Sequence, residues 1–155
     1  IANITNLGNF VRLTNLVNNM SQAEVDAANK LIIDSITKYK VIVARCRDFA
    51  DYELLKEKCD FYLQNQKPEN IVIVSGHASG ADALGERYAQ ERGLQLETYP
   101  ADWKAHGRAA GPIRNAKMAD VADALIAFWD GKSRGTKNMI DTATKRGLQV
   151  AVVRY

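Results

Sequence analysis

The sequence predicts an α/β domain built on an open parallel sheet of about five strands, with helices on both faces and a helical extension at the N-terminus. Three observations predict it. Short apolar runs recur along the chain, helical stretches separate them, and glycine and hydroxyl residues gather just after the runs. Runs that are apolar on both faces suit strands covered by helices on each side. Strands alternating with helices imply right-handed crossovers and therefore parallel pairing.

Residues 1–20 are rich in Asn, with scattered Leu, Val and Phe and no clear periodicity. Ser21-Gln22-Ala23-Glu24 then reads as a capping box, in which each outer side chain satisfies a free backbone N–H of a helix start. Ala28, Leu31, Ile32, Ile36 and Tyr39 follow at helical spacing and give that helix an apolar face. Such a face must bury on the domain or against another subunit. Residues 1–39 are therefore read as the extension and 40–155 as the domain, and a homo-oligomer, a dimer first, is expected.

The strands follow in order. Val41-Ile42-Val43-Ala44 is the first and Ile71-Val72-Ile73-Val74 the second. Leu94 to Tyr99 alternates, Ala124 to Trp129 is fully apolar, and Val150 to Val153 is the last. Helices are expected near 51–65, 80–92, 113–121 and 136–146. Gly93 and Gly147, each inside an Arg-Gly-Leu-Gln string, stand where a left-handed residue ends a helix.

Composition narrows the function classes. The chain has 155 residues, 46% hydrophobic and 25% charged, as in ordinary globular domains. A net charge of +3 argues against a duplex-DNA binder that works through its overall field. Cys46 and Cys59 lack CxxC spacing, so no disulfide framework or zinc cluster is readable, which suits a reducing, cytoplasmic setting. No apolar run approaches the ~20 residues of a membrane span. Ile1 to Asn9 lack the basic start and apolar stretch of a secretory signal. No membrane partner is expected.

In an open parallel sheet, ligands sit beyond the carboxyl ends of the strands. The segment Ser75 to Asp82 leaves the second strand there. Gly76 and Gly80 let the backbone approach a ligand closely, Ser79 can cap the next helix, and the N–H groups around Ala81 and Asp82 then form an anion site. The competing reading is a plain capping box, Ser79 with Asp82. Asp130 to Thr136 repeats the design, with Ser133, Gly135 and Thr136 at a helix start. Arg45, Arg47, Arg108, Arg114, Lys132 and Arg134 lie on the same edge, and arginine's planar fork suits phosphate. Lys132 and Arg134 read individually as solvated charges.

Trp103 is the stacking candidate for a base, whereas Trp129 ends an apolar strand and reads as core. His77 and His106 have no ligand partner at metal spacing, so a hydrogen-bonded or exposed histidine is the favoured reading and no metal is expected. Asp82, Glu86 and Asp130 are possible acids or bases. Their competing readings are a cap, a helix-surface charge and a turn residue.

Val41 to Tyr155 resembles the YspA-like branch of the SLOG (SMF/DprA-LOG) Rossmann-like superfamily. Ordered motifs carry the resemblance: Arg47-Asp48-Phe49, Ser75-Gly76 through Gly80-Ala81-Asp82, Tyr99-Pro100-Ala101-Asp102-Trp103, Gly111-Pro112-Ile113-Arg114-Asn115 with Met118, and Gly135-Thr136. It implies a Rossmannoid sheet whose glycine loops bind nucleotide-derived ligands. In the LOG enzymes an Arg-x3-Met motif and a Glu three residues after Gly-Thr serve N-glycosidic hydrolysis. Arg114 and Met118 match the first, but Met139 stands where the Glu would be. Arg45 and Cys46 also depart from the Gly-Ser expected after the first strand.

The sequence thus points to a module binding a phosphate-bearing nucleotide or nucleotide derivative, as a sensor, through Arg45, Arg47, Gly76, Ser79, Gly80, Ala81, Asp82, Arg108, Arg114, Asn115, Ser133, Gly135 and Thr136. The first alternative is a nucleotide-processing hydrolase with Arg114, Asp82 and Asp130 as its catalytic groups. The second is DprA-like binding of single-stranded DNA, against which the mild charge and the lack of interleaved aromatics argue. No cofactor is implied.

Overall fold

The computed structural model describes residues 18–77 and 83–155. The chain divides into two compact units, 1–37 and 38–155.

The described part of the first unit, residues 18–37, consists mainly of helix α1, Gln22–Thr37. Ser21 opens it as expected, its Oγ accepting from the Glu24 N–H at 3.2 Å. Leu31, Ile32, Ile33 and Ile36 of this helix are all exposed. Tyr39 does not complete the helical stripe. It begins strand β1, Tyr39–Arg45, where it pairs with Ile71. Ladder bonds from a distant strand outweigh the local helical spacing that had assigned it to the helix.

After β1 come α2 (Tyr52–Leu63), a 3-10 turn at Pro68–Asn70, β2 (Ile71–Ser75) and α3 (Ala83–Arg92). Then follow β3 (Gln95–Thr98), the short helix α4 (Trp103–His106), a 3-10 turn at Gly107–Ala109 and α5 (Ala110–Val121). The domain closes with β4 (Ala124–Trp129), α6 (Arg134–Lys145) and β5 (Gln149–Arg154). Gly93 and Gly147 do take the left-handed conformation, with φ of 64° and 76°.

Two helices start earlier than the sequence suggests. α5 begins at Ala110 rather than 113, so Pro112, Arg114 and Asn115 lie in its first two turns. Proline is tolerated in a first turn, where its missing N–H has no intrahelical acceptor, so it marked the helix without marking its start. α6 begins at Arg134, which makes Gly135 and Thr136 helical.

All five strands are parallel, in the order β3-β2-β1-β4-β5. Side-chain alternation along each strand sorts the core into two layers. Val41, Val43, Ile71, Ile73, Ala124, Ile126 and Phe128 face one way, packing with Tyr52, Leu55 and Cys59 of α2 and Tyr88 and Ala89 of α3. Ile42, Val74, Leu125 and Ala127 face the other way, against Met118 and Ala119 of α5 and Met139 and Ala143 of α6. Asp123 ties the strand starts together. Its carboxylate accepts from the Lys40 N–H at 2.9 Å, and its own N–H donates to the Lys40 carbonyl at 2.8 Å. Among the described residues no helix is long and apolar enough to cross a membrane.

Helices α2 and α3 are bolted by polar contacts on their outer side. The Tyr88 O–H donates to Asp60 at 2.7 Å, and the Arg92 guanidinium grips both oxygens of the same carboxylate, at 3.1 and 2.6 Å. Hydrogen bonding from Arg92, supported by Tyr88, holds the Asp60 carboxyl below the ordinary carboxylate value. A carboxyl with a lowered native pKa stabilises the fold above its unfolded pKa of about 4 and loses that contribution as pH falls through the native value. Asp60→Asn is therefore expected to lower the melting temperature at neutral and alkaline pH and to converge with the wild type in acid, which flattens the acid side of the profile. The pair is half exposed, so the effect at neutral pH should stay below about 1 kcal/mol. Thermal melts from roughly pH 2.5 to 8 check this; a profile unaltered by the substitution would show that Asp60 makes no such contribution.

Candidate functional site

In this strand order the chain runs from β1 outward to β2 and β3, then crosses back to β4 on the other side of β1. The carboxyl ends of β1 and β4 therefore form the switch point at which such sheets open a crevice. A cleft of about 620 Å³ lies there, lined by the ends of β1 and β4, Gly76 after β2, Trp103, Arg108, and the first turns of α5 and α6. That volume is of the size that takes a nucleotide-sized ligand.

On the β1 wall, Arg45 is the last strand residue, and its guanidinium turns back on its own loop. Its Nη1 donates to the carbonyls of Phe49 at 2.6 Å and Cys46 at 3.3 Å. Arg45 thus shapes the turn that carries Cys46, Arg47 and Asp48. Arg47 is exposed at the rim. The Asp48 carboxylate accepts from the Tyr155 O–H at 2.8 Å. Cys46 is buried, with its thiol 3.5 Å from Asp130 Oδ1 and 3.6 Å from Thr136 Oγ1.

On the β4 wall, Asp130 organises the loop into α6. One oxygen, Oδ1, accepts the N–H groups of both Lys132 and Ser133 at 2.8 Å. Those two backbone bonds, Ser133 first, hold the carboxyl below the ordinary value. Asp130 is ionised at neutral pH and committed to its turn, a poor position for a general acid. Trp129 is half-buried, as a residue at a strand end can be. Its indole N–H donates to the Ser133 carbonyl at 3.1 Å, and the Arg154 guanidinium lies over its ring.

The β2 wall carries the main departure from the sequence reading. Ser79, Gly80, Ala81 and Asp82 lie outside the described residues. Glu86 is not a surface charge of α3. It stands 2.7 Å from His77 Nδ1 and 3.5 Å from the hydroxyl of buried Ser75. His77 holds a positive φ of 47° directly after the strand. Its backbone turns toward the sheet, where its N–H donates to Ser75 Oγ at 3.2 Å. Helix α3 packs on the face that carries Ile71 and Ile73, the face to which strand alternation also assigns Ser75, and this brings Glu86 close to Ser75 and His77.

Arg114 reaches across from α5 to this wall. Its Nη1 donates to the Gly76 carbonyl at 2.6 Å and its Nε to Asn115 Oδ1 at 3.0 Å. Asn115 is buried and passes the connection on to α6, donating to Asn138 Oδ1 at 2.9 Å and to the Gly135 carbonyl at 3.4 Å. Asn138 was not picked out from the sequence. Its spacing from Arg134 and Gly135, one helical turn back, was the signal that puts it on the same face.

Arg45, Arg47, Gly76, Trp103, Arg108, Arg114, Asn115, Asp130, Ser133, Gly135 and Thr136 are thus brought together around one cleft, with Arg134 added. Lys132 is exposed and does not line it. Trp103 is 55% exposed, with its ring edge close to Gly111. Met118 and Met139 are buried among the lining residues, so the position of the LOG glutamate holds a thioether. Among the described residues, five arginines and two aspartates line the cleft, which favours an anionic occupant. For a metal, the sequence offered only His77 and His106. The fold instead gathers Cys46, Asp48 and Asp130, with donor atoms within 4.8 Å of one another, because β1 and β4 end side by side. Their hydrogen bonds to Tyr155, Thr136 and the 132–133 backbone already account for that arrangement.

Comparison with known proteins agrees with this architecture. Residues 39–106 match the model of the YspA, cpYpsA-related SLOG family. The chain is 37% identical over 92 residues to the Gene 61 protein of Mycobacterium phage D29, a match covering 56% of this chain and 74% of that protein. Its fold is similar to DNA processing protein A (DprA) from Streptococcus pneumoniae, with a TM-score of 0.60 at 21% identity. That match covers 79% of this chain, which spans only about half, 53%, of the DprA chain.

A methyl group added at Gly76 would sit 2.8 Å from Arg114 Cζ, into the guanidinium that grips this residue's own carbonyl. Gly76→Ala should therefore expel Arg114 from its brace and cost about 1–3 kcal/mol, the range for leaving such polar groups unsatisfied. At Gly135 a methyl group meets nothing within 4 Å, so Gly135→Ala should be neutral or stabilising by up to about 1 kcal/mol, because alanine favours the helix. Urea unfolding of both variants is the measurement, and equal effects would mean that Gly76 is not packed as described.

Proposed function

The chain belongs to the YspA, cpYpsA-related SLOG family, and on that premise we propose that its cleft binds a phosphate-bearing nucleotide or nucleotide derivative. One observation carries the reading. Arg47, Arg108 and Arg134 reach the cleft from three separate segments, and none of their guanidinium groups is hydrogen-bonded or ion-paired to a described residue. Three fork-shaped donors converging on one concave site match the oxygens of phosphate, and Trp103 supplies a flat apolar surface for a base.

The protein acts as a binding module, a sensor of its ligand, rather than a hydrolase. Cleavage of an N-glycosidic bond needs carboxylate help for an oxocarbenium-like transition state. Met139 occupies the position where the LOG resemblance supplies a glutamate, and Asp130 is consumed by the turn that opens α6. The fold likeness to DNA processing protein A makes single-stranded DNA the rival ligand.

Calorimetric titration with AMP, ADP-ribose and NAD, followed by assay for free base, tests the reading. Binding without release of base is expected. Steeply salt-dependent binding of an oligonucleotide, with no nucleotide bound, would replace this reading with the nucleic-acid one.

Arg108→Ala should weaken the phosphorylated ligand by about 1.5–3 kcal/mol, as loss of a charge-assisted contact does, without altering the melt of the free protein. Arg114→Ala should behave differently, because Arg114 braces Gly76 and Asn115. It should lower the melting temperature and weaken a nucleotide and its dephosphorylated nucleoside alike. If Arg114→Ala spares the melt and discriminates by phosphate, its role is ligand contact instead.

A further inference from the structure

We infer that Asn138 is a specificity-determining residue of the cleft, presenting its amide N–H groups, and not its carbonyl, to the occupant. This rests on the reading of the cleft as a phosphate-binding site and names what one of its walls demands.

The inference follows from a chain of donors and acceptors. A guanidinium donates only, so Arg114 Nε fixes Asn115 with its Oδ1 turned toward Arg114. A backbone carbonyl accepts only, so the Gly135 oxygen independently fixes Asn115 with its Nδ2 turned toward α6. Both ends demand the same orientation, which removes the ambiguity an amide ordinarily carries. The Nδ2 of Asn115 also donates to Asn138 at 2.9 Å, so Asn138 must face it with Oδ1. The Nδ2 of Asn138, with its two hydrogens, is then the end left over. No hydrogen bond among the described residues engages it, and Asn138 lines the cleft. Polarity set by one arginine is relayed through two amides, so that the α6 wall offers a donor.

A donor at this point selects an acceptor, such as a phosphate oxygen, and works against a ligand that places a donor-only ammonium group there. Within one helical turn of it stand Arg134 and Gly135, so this wall and the arginines recognise the same chemistry.

The test uses the whole chain and three forms of it: wild type, Asn138→Asp and Asn138→Ala. Asn138→Asp is isosteric and keeps the bond from Asn115, but turns a charged acceptor into the cleft. Affinities for AMP and ADP-ribose are measured by calorimetry, and each melt is recorded. Tenfold or greater loss in Asn138→Asp, a smaller loss in Asn138→Ala and intact melts support the inference. The wild-type protein supplies a second readout, because the side-chain amide resonances of Asn138 should shift when AMP or ADP-ribose binds. If wild type binds and Asn138→Asp binds within about twofold, or those resonances stay put, the donor role is overturned while the phosphate reading stands. If wild type binds neither nucleotide, both fall together.

Discussion

Strand β1 is paired along both edges, from Tyr39 with Ile71 on one side and from Val41 with Ala124 on the other, and everything at the site depends on this. Because β1 is central, the chain must leave it in one direction and return on the opposite side. That reversal parts the helices that cover the two halves of the sheet and leaves a gap above β1 and β4. Buried apolar layers on both faces hold the pairing: Val41, Ile73, Ile126 and Phe128 on one, Ile42, Val74 and Leu125 on the other. A parallel sheet sealed in this way has its exposed backbone ends at the strand termini, which is where polar side chains can do useful work.

Polar side chains at that edge divide into those that build the site and those left to use it. Arg45 bends back onto Phe49 and Cys46, Asp130 gathers the N–H groups of the loop into α6, and Arg114 with Asn115 bridges β2 to α6. Each satisfies backbone groups that the loops would otherwise leave exposed in a concave, partly desolvated place. Among the described residues, the two carboxylates that line the cleft are compensated by donors, Asp48 by Tyr155 and Asp130 by its turn. The rim arginines have no such commitment to a described residue. Among the described residues, arginines thus outnumber carboxylates around the cleft, which favours an anionic occupant.

A motif that marks catalysis in related folds need not be catalytic where its surroundings change. Arg114 and Met118 occupy motif positions, yet Arg114 is gripped by a backbone carbonyl and Met118 is buried. The position three residues after Gly135-Thr136 that would complete the chemistry is apolar Met139, also buried. The scaffold keeps the arginine and the methionine of that motif but holds a thioether where its carboxylate would stand.

The sequence by itself determined the class of fold, its five strands, the two helix-ending glycines and the sheet edge at which glycine, hydroxyl and arginine residues gather. Each is written in a local pattern: apolar alternation, a capping serine, or a glycine where φ must be positive. The family motifs were legible for the same reason, since they are contiguous. Strand order, the early starts of α5 and α6, and the transfer of Tyr39 to β1 were decided by pairing between distant segments. So were the roles at the site. Arg114 lies 38 residues from the carbonyl it holds, and Asn115 lies 23 from the Asn138 it orients. A hydrogen bond falls away within a few tenths of an ångström and is directional. Residue type alone can say that an arginine seeks oxygen, but only the packed sheet decides whether that oxygen belongs to the chain or to its ligand.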